Sequence, residues 1–143
     1  MNQRLAQLYD FAEDRDIQYL NKSFSNTKKA MCAQYQDKSL IVMDSEAIAS
    51  DTEETELLAE ELGHLETGAL YAVEDYLNPN YHLNVLKAEY RARRWAIKKL
   101  IPKDELFSAI ESGYIETWDL AEYFDVTEKF MIQAILYHDI YHI

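Results

Sequence analysis

Leu57-Leu58-Ala59-Glu60-Glu61-Leu62-Gly63-His64 sets a carboxylate and an imidazole one helical turn apart, with a second carboxylate between them. The pattern H-E-x-x-H places two metal ligands at i and i+4 on a helix and uses the intervening Glu as a general base. Here the first position is Glu60, so the string reads E-E-x-x-H, with Glu60 and His64 as candidate ligands and Glu61 as candidate base. Carboxylate and imidazole are both acceptable zinc ligands, so the exchange alters the ligand and keeps the spacing. At about 100° per residue, Leu58, Leu62, Leu65 and Ala69 form one apolar stripe, with Glu60 and His64 together on its flank and Glu61 between flank and core. A helix packed through those leucines holds Glu60 and His64 side by side at the edge of a cleft. Ser50-x-x-Glu53 and Asp51-x-x-Glu54 both fit a capping box, and Glu53, Glu54 and Glu56 suit the positive end of the dipole. With Gly68 as the stop, the spacing predicts a helix over 50–67. The competing reading is an acidic, solvated face that happens to carry a His.

A third ligand has to come from elsewhere in the chain. Residues 83–100 carry an apolar face of Val85, Ala88, Ala92, Trp95 and Ala96, and Glu89 projects from the middle of it. Carboxylates are seldom fully buried unless they are paired or bind a metal, so Glu89 needs a cation. An ion pair with Arg93, one turn further along the same helix, is the plainer alternative.

At these residues the chain resembles a known family. Leu58-Ala59-Glu60-Glu61-Leu62-Gly63-His64 is similar to the zinc-helix signature of the ImmA/IrrE-type metallopeptidases. Glu89-x-x-Ala92-x-x-Trp95-Ala96-x-x-x-Leu100-Ile101-Pro102 resembles that family's third-ligand helix, which usually reads E-x-x-A-N-x-F-A-x-x-L-L-M-P. Asp119-Leu120-Ala121-Glu122-Tyr123-Phe124-Asp125-Val126-Thr127 is similar to its C-terminal "LAxxFxVS" stretch, and together the likeness spans most of residues 1–137. Two departures stand out: Glu60 replaces the usual His, and Arg93 stands where Asn is typical. The resemblance implies a metal-dependent endopeptidase that cuts a helix-turn-helix repressor of a mobile element or stress regulon. A pseudo-peptidase that binds such a repressor without cutting it is the alternative. Two carboxylates and one imidazole make a harder ligand set than His₂Glu, so Mn2+ or Fe2+ stands beside Zn2+ as the expected metal.

Composition narrows the classes. At 143 residues and 48% hydrophobic content the chain fits one folded domain, 1–143, with a core of its own. No apolar run is long enough for a membrane span, and Met1-Asn2-Gln3-Arg4-Leu5 lacks a signal-peptide apolar region. A single cysteine, Cys32, excludes an intrachain disulfide and fits a reducing cytoplasm; it reads as a buried, inert thiol in a strand. The net charge of −12 argues against sequence-independent nucleic-acid binding. Lys87, Arg91, Arg94 and Lys98 nevertheless recur at helical spacing opposite Glu89, as a solvated face or a dock for an acidic partner.

Around these motifs, Leu5, Leu8, Tyr9 and Ala12 predict a first helix over 3–14. Strand-like runs at 17–20, 30–35 and 40–43 follow, the last two joined by the polar turn 36–39. A loop surrounds Asn78-Pro79-Asn80, and helical segments are expected at 103–112, 117–124 and 127–139. The reading is thus α+β: an N-terminal helix, a small, mostly antiparallel three-stranded sheet, two site helices and a helical C-terminal subregion over 103–143. Two rivals are weaker. Residues 119–127 and the helix after them resemble half of a helix-turn-helix reader, but acidic neighbours surround Thr127, Glu128, Lys129 and Gln133. Glu61-x-x-His64 is also the E-x-x-H element of carboxylate di-iron bundles, for which the one near match is Asp139-x-x-His142. Of the other histidines, His82 is a candidate auxiliary group near the cleft, and His138 and His142 read as surface tail residues.

Overall fold

Strands β1 (Ile17–Asn21), β2 (Ala30–Tyr35) and β3 (Lys38–Met43) make a sheet in the order β1-β3-β2. The computed structural model describes residues 1–71 and 73–140; His142 lies outside them. The sheet is mixed. β2 and β3 form an antiparallel hairpin, whereas β1 runs parallel to β3 in the register Ile17↔Ser39 to Asn21↔Met43. The hairpin turn is shorter than the four polar residues suggested: Tyr35 already pairs with Lys38, and Gln36 takes φ +55° to close the reversal.

Side chains alternate across the sheet. Ile41 and Met43 are buried on one face, and Cys32, the ladder partner of Ile41, shares that face. Helices α1 (Gln3–Asp14) and α2 (Asp51–Thr67) pack there through Leu5, Leu8 and Ala12 and through Leu58, Ala59 and Leu62. The capping signals of α2 are realised in part. Ser50 Oγ accepts from Glu53 N at 3.1 Å, and Glu53 reaches back to Ala49 N at 3.1 Å. Asp51 is the first helical residue instead of a cap, and its carboxylate accepts from Asn2 N at 2.8 Å. Gly68 ends the helix in the left-handed conformation, φ +68°, as a C-terminal glycine does.

A short 3-10 turn, Val73–Leu77, leads into α3 (Tyr81–Leu100), which lies against α2. The approach is close at Gly63 and Ala92, and the other small residues Ala59, Ala88 and Ala96 are also buried on these helices, so little side-chain bulk separates them. A Cβ on Gly63 would stand 3.0 Å from Ala92 Cα and closer still to its carbonyl oxygen.

After Pro102, helices α4 (Lys103–Glu111), α5 (Thr117–Phe124) and α6 (Glu128–His138) complete six α-helices among the described residues. Leu106, Leu120, Phe124 and Met131 join the same continuous core as the N-terminal elements. Polar ties reinforce this. Asp125 accepts from Asn2 Nδ2 at 2.6 Å and from Thr52 Oγ1 at 3.0 Å. Glu56 Oε1 accepts from both the N and the Oγ1 of Thr127 at 2.8 Å. The N-terminus of α6, the end a DNA reader would present, is therefore engaged by a carboxylate of α2. His138 is not the surface residue expected from its place near the end of the chain. It is buried, with Nε2 bonded to the carbonyl of Ile101 at 2.7 Å, because α6 folds back on the end of α3.

Among the described residues, no helix is long and apolar enough to cross a membrane.

Candidate metal centre

Where α2 and α3 face β2, a cleft of about 190 Å³ is lined by Lys28, Met31, Cys32, Glu61, His64, Leu70, Tyr71 and Glu89. A larger hollow of about 530 Å³ lies beside the C-terminal helices, lined by Lys98, Pro102, Lys103, Tyr137 and His138; among the described residues no carboxylate lines it.

His64 is the fixed point of the cleft. Its side chain is 7% exposed, and Nδ1 lies 2.7 Å from the carbonyl of Ala69, just past the end of α2. A carbonyl only accepts, so Nδ1 carries the proton and donates, and Nε2 is the nitrogen turned to the cleft. Glu89 Oε2 lies 3.4 Å from that Nε2. Two donor atoms bound at about 2.1 Å to one tetrahedral ion lie about 3.4 Å apart, so this pair has the spacing of two shared ligands. The hydroxyl of Tyr71 donates to the other oxygen, Glu89 Oε1, at 2.9 Å and thereby sets the carboxylate's rotation.

The electrostatics follow from this packing. Burial opposes charge on the His64 ring, yet the bond to Glu89, the Ala69 carbonyl and the nearby Glu61 charge together hold its pKa above the ordinary value. The His64 bond draws the Glu89 carboxyl below its ordinary range, against partial burial and with help from Tyr71. Glu61 is pushed the other way: burial raises it, and the Cys32 thiol and His64 only partly offset that. Burial, then the Glu61 charge, raises Cys32, so the thiol stays protonated. It is half-buried and cleft-facing instead of sealed in the core.

The three proposed ligands do not converge. Glu60 does not line the cleft; its Oε1 lies 3.3 Å from Arg93 Nε in an ion pair between α2 and α3. Arg93 therefore partners Glu60, and Glu89 is left to His64 and Tyr71. Among the described residues no three His, Cys, Asp or Glu side chains form a ready metal cage. The reason lies in helix rotation. Gly63 sits against Ala92, and Glu60, three residues earlier on the same face, stands beside α3 within reach of Arg93. His64 and Glu61 are turned towards the cleft by the same rotation. The donor set fits a divalent ion in two positions, His64 Nε2 and the Glu89 carboxylate; the third depends on Glu60 leaving Arg93.

His82 is exposed, packs its ring edge-on to Tyr76 and Tyr81, and does not line the cleft. Tyr71 and Lys28, which do line it, carried no motif signal: both lie in irregular segments, and their proximity depends on the packing of distant elements. Arg93 was visible as the departure from Asn, though its partner was not. Comparison of the chain with protein-family models, with curated proteins and with solved structures returns no match.

Proposed function

We propose that this protein is a metal-dependent endopeptidase whose cleft is built on His64, Glu89 and Glu61. The observation that carries the reading is the pair His64 Nε2 and Glu89 Oε2, 3.4 Å apart at the cleft, with Nδ1 tied back to the Ala69 carbonyl. Metal-ligating histidines characteristically donate their other ring N–H to such an acceptor. In this reading His64 and Glu89 hold a divalent ion, Zn2+ or the harder Mn2+ or Fe2+, and Glu60 completes the set on release from Arg93. The ion would supply Lewis-acid polarisation of a peptide carbonyl and acidify water. The chain's own groups do the rest. Glu61, whose carboxyl burial raises above its ordinary range, takes the proton of the attacking water and returns it to the leaving amine. Tyr71 keeps the Glu89 carboxylate in register with His64. By the sequence resemblance the substrate is a helix-turn-helix repressor.

The Glu60–Arg93 pair favours a second reading, a pseudo-peptidase in which the guanidinium supplies the positive charge and the chain binds a repressor without cutting it. Titration with Zn2+, Mn2+, Fe2+ and Co2+, read by calorimetry and elemental analysis, separates the two. The peptidase reading expects up to one ion per chain, lost in His64→Ala and kept in Glu61→Gln, with the latter unable to fragment a repressor encoded beside it. Failure of all four metals to bind at saturation rejects it. Equal relief of repression by wild type and Glu61→Gln, with the repressor intact, assigns the protein to the binding reading.

A further inference from the structure

The charge of this chain is unevenly placed. Helix α3 carries six of the 14 Lys and Arg residues and one of the 26 acids, a net +5, which leaves −17 on the rest of a chain of net −12. Along the same helix Leu83, Leu86 and Tyr90, at i, i+3 and i+7, are 50%, 67% and 59% exposed. Their row continues towards Ile97, which is buried in the core. At the N-terminal half of α3 the row is open. Lys87 and Arg94 border it, and the Arg94 guanidinium lies 4.9 Å from the centre of the Tyr90 ring, which braces the aromatic face.

We infer that the Leu83–Leu86–Tyr90 row of α3 is a docking surface for a short acidic amphipathic segment of a partner protein. An i, i+3, i+7 row is the footprint of helix-on-helix recognition, and twelve residues of α3 span about 18 Å, a match for roughly three turns of a partner helix. Charge decides the kind of partner. A segment of that length meets only the basic helix, since charges beyond about 8 Å are largely screened. An extended polyanion such as duplex DNA or an anionic membrane would run past α3 onto the −17 remainder. A second copy docking by the same row would set Lys87 and Arg94 against themselves. The surface is independent of metal binding in the cleft.

The test uses the full chain and a fluorescent peptide of about 16 residues with leucines at i, i+3 and i+7 and Glu at the flanking positions, read by anisotropy. Two control peptides replace the glutamates by Lys or the leucines by Ser. The acidic leucine peptide should bind, and the two controls should bind at least roughly tenfold more weakly. Binding should weaken as salt rises from about 50 to about 300 mM. Leu86→Ser with Tyr90→Ser, and separately Lys87→Glu with Arg94→Glu, should each lower affinity roughly tenfold with the melting temperature unchanged. The peptide controls decide the matter even where a variant misfolds. No binding of the acidic peptide, equal binding of the Lys peptide, or tighter binding to phosphatidylserine vesicles or a DNA duplex overturns the inference.

Discussion

Gly63→Ala tests whether the α2–α3 contact is as tight as it must be to align the cleft. In an exposed helix this substitution stabilises, by roughly 0.5–1 kcal/mol, because Ala has the higher helix propensity. Here the added methyl would stand 3.0 Å from both Cα and the carbonyl carbon of Ala92 and closer still to the carbonyl oxygen. The obstacle is helical backbone, which cannot swing aside like a side-chain tip, so the helices must part by several tenths of an ångström. Overpacking of that kind costs typically about 1–3 kcal/mol and occasionally more. The clash with the Ala92 backbone outweighs the gain in propensity, and we expect a net loss of about 1–2 kcal/mol, or about 3–8 °C in melting temperature for a domain of this size. The same parting pulls Glu89 away from His64, so any metal affinity should fall as well. Thermal melts followed by circular dichroism, with urea midpoints as a check, measure it. A Gly63→Ala protein as stable as wild type or more so would refute the argument, and with it the claim that this contact sets the rotation of α2.

Arg93→Gln should release Glu60 from its ion pair; with partly exposed pairs worth up to about 1 kcal/mol, divalent-metal affinity should rise about fivefold by calorimetry, and an unchanged or weaker affinity would remove Glu60 from the ligand set. Thr127→Ala removes the hydroxyl that accepts from Phe130 N and donates to Glu56, and should cost about 1–2 kcal/mol by urea unfolding; a neutral result would mean α6 needs no cap. Glu53 is held below its ordinary pKa of 4.5, first by the Lys29 ammonium at 3.0 Å, so its contribution is present above that value and lost as pH falls through the lower folded value. Glu53→Gln should therefore be less stable than wild type at neutral pH and equal to it in strong acid, and a gap that persists undiminished in acid would contradict this assignment.

What the sequence by itself determined is what depends on residues a few positions apart. The span of α2, its Ser50 cap and its Gly68 stop were legible because capping and period are local. So were the α3 face of Ala88, Ala92 and Ala96 and the hairpin of β2 with β3. Glu61, His64 and Glu89 were legible as candidates because two of them share one helix and the third interrupts an apolar stripe, and the structure brings all three to one cleft. Tertiary packing decided the rest. Whether Glu60 or Glu61 faces the cleft is a matter of tens of degrees of rotation about the α2 axis, fixed by the seat of Gly63 on Ala92 and by Arg93 across the gap. Tyr71 reaches Glu89, and His138 reaches the Ile101 carbonyl, across 18 and 37 residues of chain. The parallel placement of β1 beside β3 likewise joins segments that no local pattern links. Spacing along one helix fixes which side chains share its face, but only the neighbouring elements fix where that face points.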